Sequence, residues 1–149
     1  MFRKCTEADL VFVQPLVDQL YESDPNTQDV TTDIAVTFLE FEKRPEKGQL
    51  IVFDDGENIV GYCIIIFFWS NEYGGNIIDI DEICVAREKR RSSIAKDLIV
   101  WLEKTFASNA VGFSLEIAHH NQAAQNLARK MGFSCARNQH MIKISAREK

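Results

Sequence analysis

The chain has no apolar run long enough to cross a bilayer, no CxxC pair, no short Cys/His cluster and no excess of basic charge. Each of these absences excludes a class of protein. A membrane-spanning helix takes roughly 20 apolar residues, and the longest apolar run, YCIIIFFW from Tyr62 to Trp69, is the length of a strand. The N-terminal MFRKCTEADL lacks the apolar stretch of a signal peptide, so the sequence reads as a soluble, cytoplasmic protein with no membrane partner. The four cysteines, Cys5, Cys63, Cys84 and Cys135, are scattered without ligand spacing, which suggests neither a metal site nor a redox motif. Reduced thiols are expected. A formal net charge of -5 argues against nucleic acid as a partner, because phosphate binding needs a basic surface, and suits a cationic substrate better. There is no internal repeat, low-complexity segment or linker, and 46% hydrophobic with 26% charged residues is ordinary globular composition.

What is present fits a single domain over residues 1–149, a size at which about two thirds of the unfolded surface becomes buried. Residues 2–5 read as a short first strand. Thr6, with Glu7 and Asp9 behind it, is an N-cap signal for a helix carrying Leu10, Val13, Leu16, Val17 and Leu20. Pro15 lies inside that stripe and predicts a kink or two short pieces. Thr31 or Thr32 can cap a second helix over residues 33–43. Residues 50–53, 59–69 and 77–85 read as three consecutive antiparallel strands joined by the turns DDGEN and SNEYGG. Ile94, Leu98, Trp101, Leu102 and Phe106 then share one face of a helix. Phe113, Leu115 and Ile117 alternate as a strand, residues 121–131 form a helix closed by Gly132, and residues 140–144 supply a last strand. The class is α+β.

Two clusters can carry chemistry. Between the third of those strands and its helix lies Arg90-Arg91-Ser92-Ser93-Ile94-Ala95-Lys96. A strand ending in small residues that open a helix aims several amides at one spot, where the helix dipole favours a phosphate and arginines add bidentate contacts. The same residues would also serve as a solvated basic loop. The second cluster is acidic: Asp79, Asp81 and Glu82 lie on the strand before the turn, and alternation places Asp79 and Asp81 on one face with Glu82 on the other.

The run VAREKRRSSIAKDLI resembles the acyl-CoA-binding motif of the GNAT superfamily of N-acetyltransferases, in which Arg/Gln-x-x-Gly-x-Gly/Ala joins a strand to a helix. Arg90 takes the leading position, Ser93 stands where glycine is usual, and Ala95 fills the Gly/Ala position. Downstream, Asn121, Ala124, Leu127, Lys130, Gly132 and Phe133 match the family's Asn-x-x-Ala-x-x-Leu-Tyr-x-Lys-x-Gly-Phe segment.

The resemblance implies a mixed, mainly antiparallel central sheet flanked by helices on both faces and splayed near Ile83, Cys84 and Val85, whose backbone would hold the pantetheine arm. It implies acetyl-CoA as co-substrate, with its pyrophosphate over residues 90–96, and no metal. It gives Asn121 a contact to the pantetheine arm or its water and places Lys130 in the second cofactor signature. An acidic residue on the preceding strand is the implied general base, and Glu82 is preferred to Asp81. The acceptor is then a primary amine of a small molecule, polyamine-, aminoglycoside- or lysine-like, or of a peptide. Asp54, Asp55, Glu57, Glu72, Asp79 and Asp81 motivate the cationic choice. Homodimers are common in the superfamily, but no segment here marks an interface. Ala128 departs from the pattern, because it stands where a tyrosine commonly protonates the departing thiolate; Cys84, Tyr62, Tyr73, His119 and water are substitutes for that donor. A module that binds acyl-CoA as a sensor without turnover is the alternative class.

Overall fold

Alternating apolar residues build a five-stranded sheet in simple sequence order, in a computed structural model that describes residues 1–23, 30–136 and 140–144. The strands are β1 (Phe2–Lys4), β2 (Gly48–Asp54), β3 (Ile59–Ser70), β4 (Gly75–Val85) and β5 (Gly112–Leu115). The first four pair antiparallel, and β5 runs parallel to β4. Helices α1 (Leu10–Ser23), α2 (Ile34–Lys43), α3 (Ile94–Thr105) and α4 (Gln122–Lys130) complete the α+β fold.

The period-2 alternation of the central strands sorts the core into two layers. Leu50, Val52, Tyr62, Ile64 and Cys84 face Val13, Leu16 and Val17 of α1 and Ile34 and Phe41 of α2. On the opposite face Ile51, Phe53, Cys63, Ile65, Ile78 and Ile80 pack on Leu98, Ile99 and Leu102 of α3. Gly48 and Gly61 leave no room for a side chain, since a Cβ would come within 2.2 Å of the Ile65 carbonyl oxygen at one and within 2.4 Å of the Phe53 ring and 2.5 Å of the Cys84 carbonyl oxygen at the other. Among the described residues no helix is long and apolar enough to cross a membrane.

The N-terminus is tied down by charge. Asp9, only 7% exposed, accepts from the Thr6 backbone at 2.8 Å and from its hydroxyl at 2.7 Å, closing the turn ahead of α1. The Arg3 guanidinium then clasps Asp9 at 2.8 and 2.9 Å and Asp54 at 3.0 Å, which joins β1, the α1 entry and the end of β2.

Four expectations change. Helix α1 is a single element through Pro15, because Pro15 lies on the exposed side, where the carbonyl it deprives of a partner can be hydrated. Asp33, not Thr31 or Thr32, caps α2, accepting from the Ala35 amide at 2.9 Å. Strand β5 ends at Leu115 and leaves out Ile117. Residues 140–144 form no strand: Met141, Ile142 and Ile144 are 87%, 72% and 82% exposed, so their alternation has no surface to bury. Residues 24–29, most of the loop predicted between the first two helices, lie outside the described residues.

Candidate active site

The site begins with a one-residue interruption in β4. Ile80 pairs with Ile65 and Glu82 with Ile64, so Asp81 is an extra residue opposite no partner, a β-bulge. The bulge inverts the alternation beyond it. Glu82 therefore turns to the α1–α2 face, correcting the prediction that it lies opposite Asp79 and Asp81. The parallel pairing with β5 also stops here, at Ile80 and Leu115. From Asp81 onward β4 has an open edge. The Ala86 amide donates to Val60 of β3 at 2.9 Å, which fixes the phase: Glu82 and Cys84 direct their backbone toward β3, while Ile83 and Val85 direct theirs into the gap.

On the α1–α2 face a cavity of about 390 Å³ opens against the bulge, lined by both Asp81 and Glu82. Glu82 is held from two sides. Tyr62 of β3 donates to Oε2 at 2.8 Å, and the Tyr21 hydroxyl of α1 donates to Oε1. Burial, reinforced by Glu82, pushes both phenols well above the ordinary tyrosine range, so both remain donors. Asp81 is exposed at the bulge but flanked by acidic groups, and its carboxyl is raised from its ordinary value, first by partial desolvation and then by Glu82, Asp79 and Glu116. Asp79 accepts from Ser114 at 2.5 Å, one rung before the last pair, Ile80 and Leu115.

At the far end of β4 the chain passes through a 3-10 turn into the arginine-rich loop and α3. Arg90 folds back, donating Nε to the Val85 carbonyl at 3.0 Å and capping the open edge. Arg91 adopts φ 62°, a left-handed conformation that usually calls for glycine. Ser93, at the motif's glycine position, has an ordinary φ of -75° and makes no side-chain cap; its hydroxyl bonds Asp97 instead. The first amides of α3, at Ile94, Ala95 and Lys96, thus remain for an outside acceptor. Ser92 closes the loop from below, donating to the Lys89 carbonyl at 2.6 Å.

The second signature lies on α4. Asn121 caps that helix, accepting from the Ala124 amide at 3.1 Å, which leaves its amide nitrogen to donate. Lys130 is exposed in the last turn and Ala128 is 7% exposed. His119 and His120 are exposed in the preceding turn. Cys84 is buried, its thiol facing Gln19 of α1 at 3.5 Å and pushed upward mainly by burial. Trp69 and Tyr73 are 67% and 65% exposed on the β3–β4 hairpin and take no part in the cavity. Among the described residues no group of His, Cys, Asp and Glu is placed to hold a metal ion.

The family model of the Acetyltransferase (GNAT) family matches residues 14–133. The chain belongs to the GNAT family. Solved structures agree on the fold. A possible acetyltransferase from Clostridium difficile 630 superposes with a TM-score of 0.78 at 20% identity, covering 98% of each chain. Ribosomal-protein-alanine N-acetyltransferase from Brucella melitensis biovar Abortus 2308 gives 0.75 at 18% identity, over 97% of this chain and 99% of that one. An acetyltransferase of Trypanosoma brucei gives 0.73 at 19%, with 97% and 99% covered. No curated protein matches the sequence.

Within this GNAT fold, the residue that sequence reasoning passed over is Tyr21. A signal for it existed, since Val13, Val17 and Tyr21 recur at four-residue steps on the buried stripe of α1. For the bulge no signal existed, because IIDIDEICV reads as uninterrupted strand.

Proposed function

We propose that this chain is a single-domain, cytoplasmic N-acetyltransferase that moves an acetyl group from acetyl-CoA directly onto a primary amine. The observation that carries the reading is the bulge: one residue opens the strand edge at Ile83 and Val85 and also brings two carboxylates to the cavity on the other side of the gap. The open edge suits an amide-bearing arm, with the backbone of Ile83 and Val85 as partners and Cys84 between them. The exposed Arg90 and Arg91, Ser92, Ser93 and the amides of Ile94, Ala95 and Lys96 suit a pyrophosphate. Asn121 and Lys130 complete the set of groups assigned to the co-substrate.

Acetyl-CoA supplies the activated acyl group as a thioester. The chain's part is to orient an amine and remove a proton. Because both Glu82 oxygens accept tyrosine hydroxyls, Glu82 serves as a fixed anion that holds the ammonium. Asp81, raised and free of such donors, is the base. This reverses the preference for Glu82 drawn from sequence. One ammonium proton passes to Asp81, and the nitrogen lone pair forms the C–N bond as the C–S bond breaks. The sulfur keeps the electron pair. With alanine at position 128, that thiolate takes its proton from water, which also receives the second nitrogen proton.

Asp81→Asn is expected to lower kcat by about 10²–10³ with acetyl-CoA affinity unchanged. Thiol release and calorimetry measure the two. Unaltered turnover overturns the assignment. Ala128 favours a second reading, an acyl-CoA sensor, which tight acetyl-CoA binding without thiol release on any amine would establish.

A further inference from the structure

The cavity beside the bulge is charged at one end only, and what this implies about the acceptor rests on the acetyltransferase reading above. Its walls are mainly apolar, Val17, Ile34, Val36, Phe41, Ile64 and Ile66, with the hydroxyl-bearing Tyr21, Thr32 and Thr37 among them and Asp81 and Glu82 at the bulge end. Glu40 also borders it, but that carboxylate is neutralised by Arg44 and Lys47, each at 2.6 Å. The acidic residues that favoured a polycation in sequence are likewise committed or remote. Asp54 is held by Arg3 at 3.0 Å, and Asp55 by Lys89 at 3.0 Å, both at the Ile59 end of β3 rather than beside Ile64, where the bulge lies. Asp79 bonds Ser114, and Glu72 lies on the distant β3–β4 hairpin. Among the described residues, one unpaired anionic point faces a chamber whose remaining lining is apolar side chains, the hydroxyls of Tyr21, Thr32 and Thr37, and the ion-paired Glu40.

We propose that the acceptor is a primary monoamine with an aliphatic or aromatic body, its ammonium at Asp81 and Glu82 and its body against Ile34, Phe41, Ile64 and Ile66. A single cation finds both carboxylates, and each buried methylene of the body adds to affinity. Among the described residues a second ammonium would meet isoleucine, phenylalanine, threonine hydroxyls and the already paired Glu40, with no free carboxylate to compensate its lost hydration. Such a site rejects a diamine by what it lacks, and discrimination of this kind reaches a far larger ratio than a methylene difference provides.

The test is thiol release from acetyl-CoA with hexylamine, phenethylamine, 1,6-diaminohexane, spermidine and an alanine-initiated tripeptide. Hexylamine and 1,6-diaminohexane differ only in the second ammonium. We expect kcat/KM at least about tenfold higher for hexylamine. A Val36→Asp variant adds a carboxylate at an exposed wall position in the first turn of α2, where an acidic residue favours the helix. It is expected to narrow the hexylamine-to-diamine ratio. Equal or better turnover of the diamine, spermidine or the tripeptide overturns the inference and leaves the acetyltransferase reading standing. A ratio unmoved in folded Val36→Asp overturns the placement of the body. No release from any amine overturns the acetyltransferase reading itself.

Discussion

Under the proposed mechanism, Asp81 would couple catalysis to stability through one displacement. Its carboxyl is raised on folding, chiefly by desolvation. Ionising it therefore opposes folding: the protonated form is favoured at low pH, and stability falls as pH rises through the folded value. The same displacement makes it a better proton acceptor near neutrality. The acid limb of kcat/KM is expected above the ordinary aspartate value of about 3.9. Asp81→Asn should melt higher than the parent at pH 8 and show no advantage at pH 4. Melting curves at both pH values check this, and a variant that melts lower at pH 8 contradicts it. Asp9 has the opposite sign. Arg3 holds it far below the carboxylate range, so its contribution is full above about pH 4 and is lost as pH falls further.

At the scale of elements, α1 and β4 show where a sequence pattern is sufficient. The helical stripe of α1 was legible, yet of the expected kink or two short pieces at Pro15 the division into two pieces did not occur, because the cost of a missing hydrogen bond depends on whether the orphaned carbonyl meets water. That cost is still present. Pro15→Ala restores the amide and is expected to stabilise the chain by about 1–2 kcal/mol, the helix gain less the entropy proline removes from the unfolded chain. Urea unfolding measures it; a loss of stability would show that Pro15 is needed to seat α1. In β4 the positions of the carboxylates were legible, but their faces were not. A strand pattern fixes facing only while the register is unbroken, and the interruption at Asp81 depends on where β3 and β5 pair, information carried by other segments. For residues 140–144 the alternation was present but no open edge took it up.

For the molecule as a whole, order of elements, antiparallel meander and helix placement could be read from alternation and caps, and both GNAT signatures from their spacing. The cavity could not, since α1, α2, β3 and β4 each contribute a wall. Nor could the neutralisation of Asp54, Asp55 and Glu40 by partners distant in sequence or a turn away. Packing also separates the thiols. Cys5, Cys63 and Cys84 are buried in the two core layers and Cys135 is exposed. Burial pushes Cys5 up to about 12, far from reactivity. Native protein treated with iodoacetamide should gain one carbamidomethyl group, at Cys135, and four after denaturation, by intact mass; labelling of Cys63 or Cys84 in the native state would mean the core opens readily.

The stretch of β4 beyond Ile80 is an unpaired edge, the kind of surface that folded proteins usually blunt because it recruits other strands. Here residues 116–118 run past it without pairing, and Arg90 takes the last carbonyl. An arm carrying amides would stand in for the absent continuation of β5, so that occupying the site and finishing the sheet become the same event. Under the proposed function, the co-substrate would then act as a detachable piece of secondary structure.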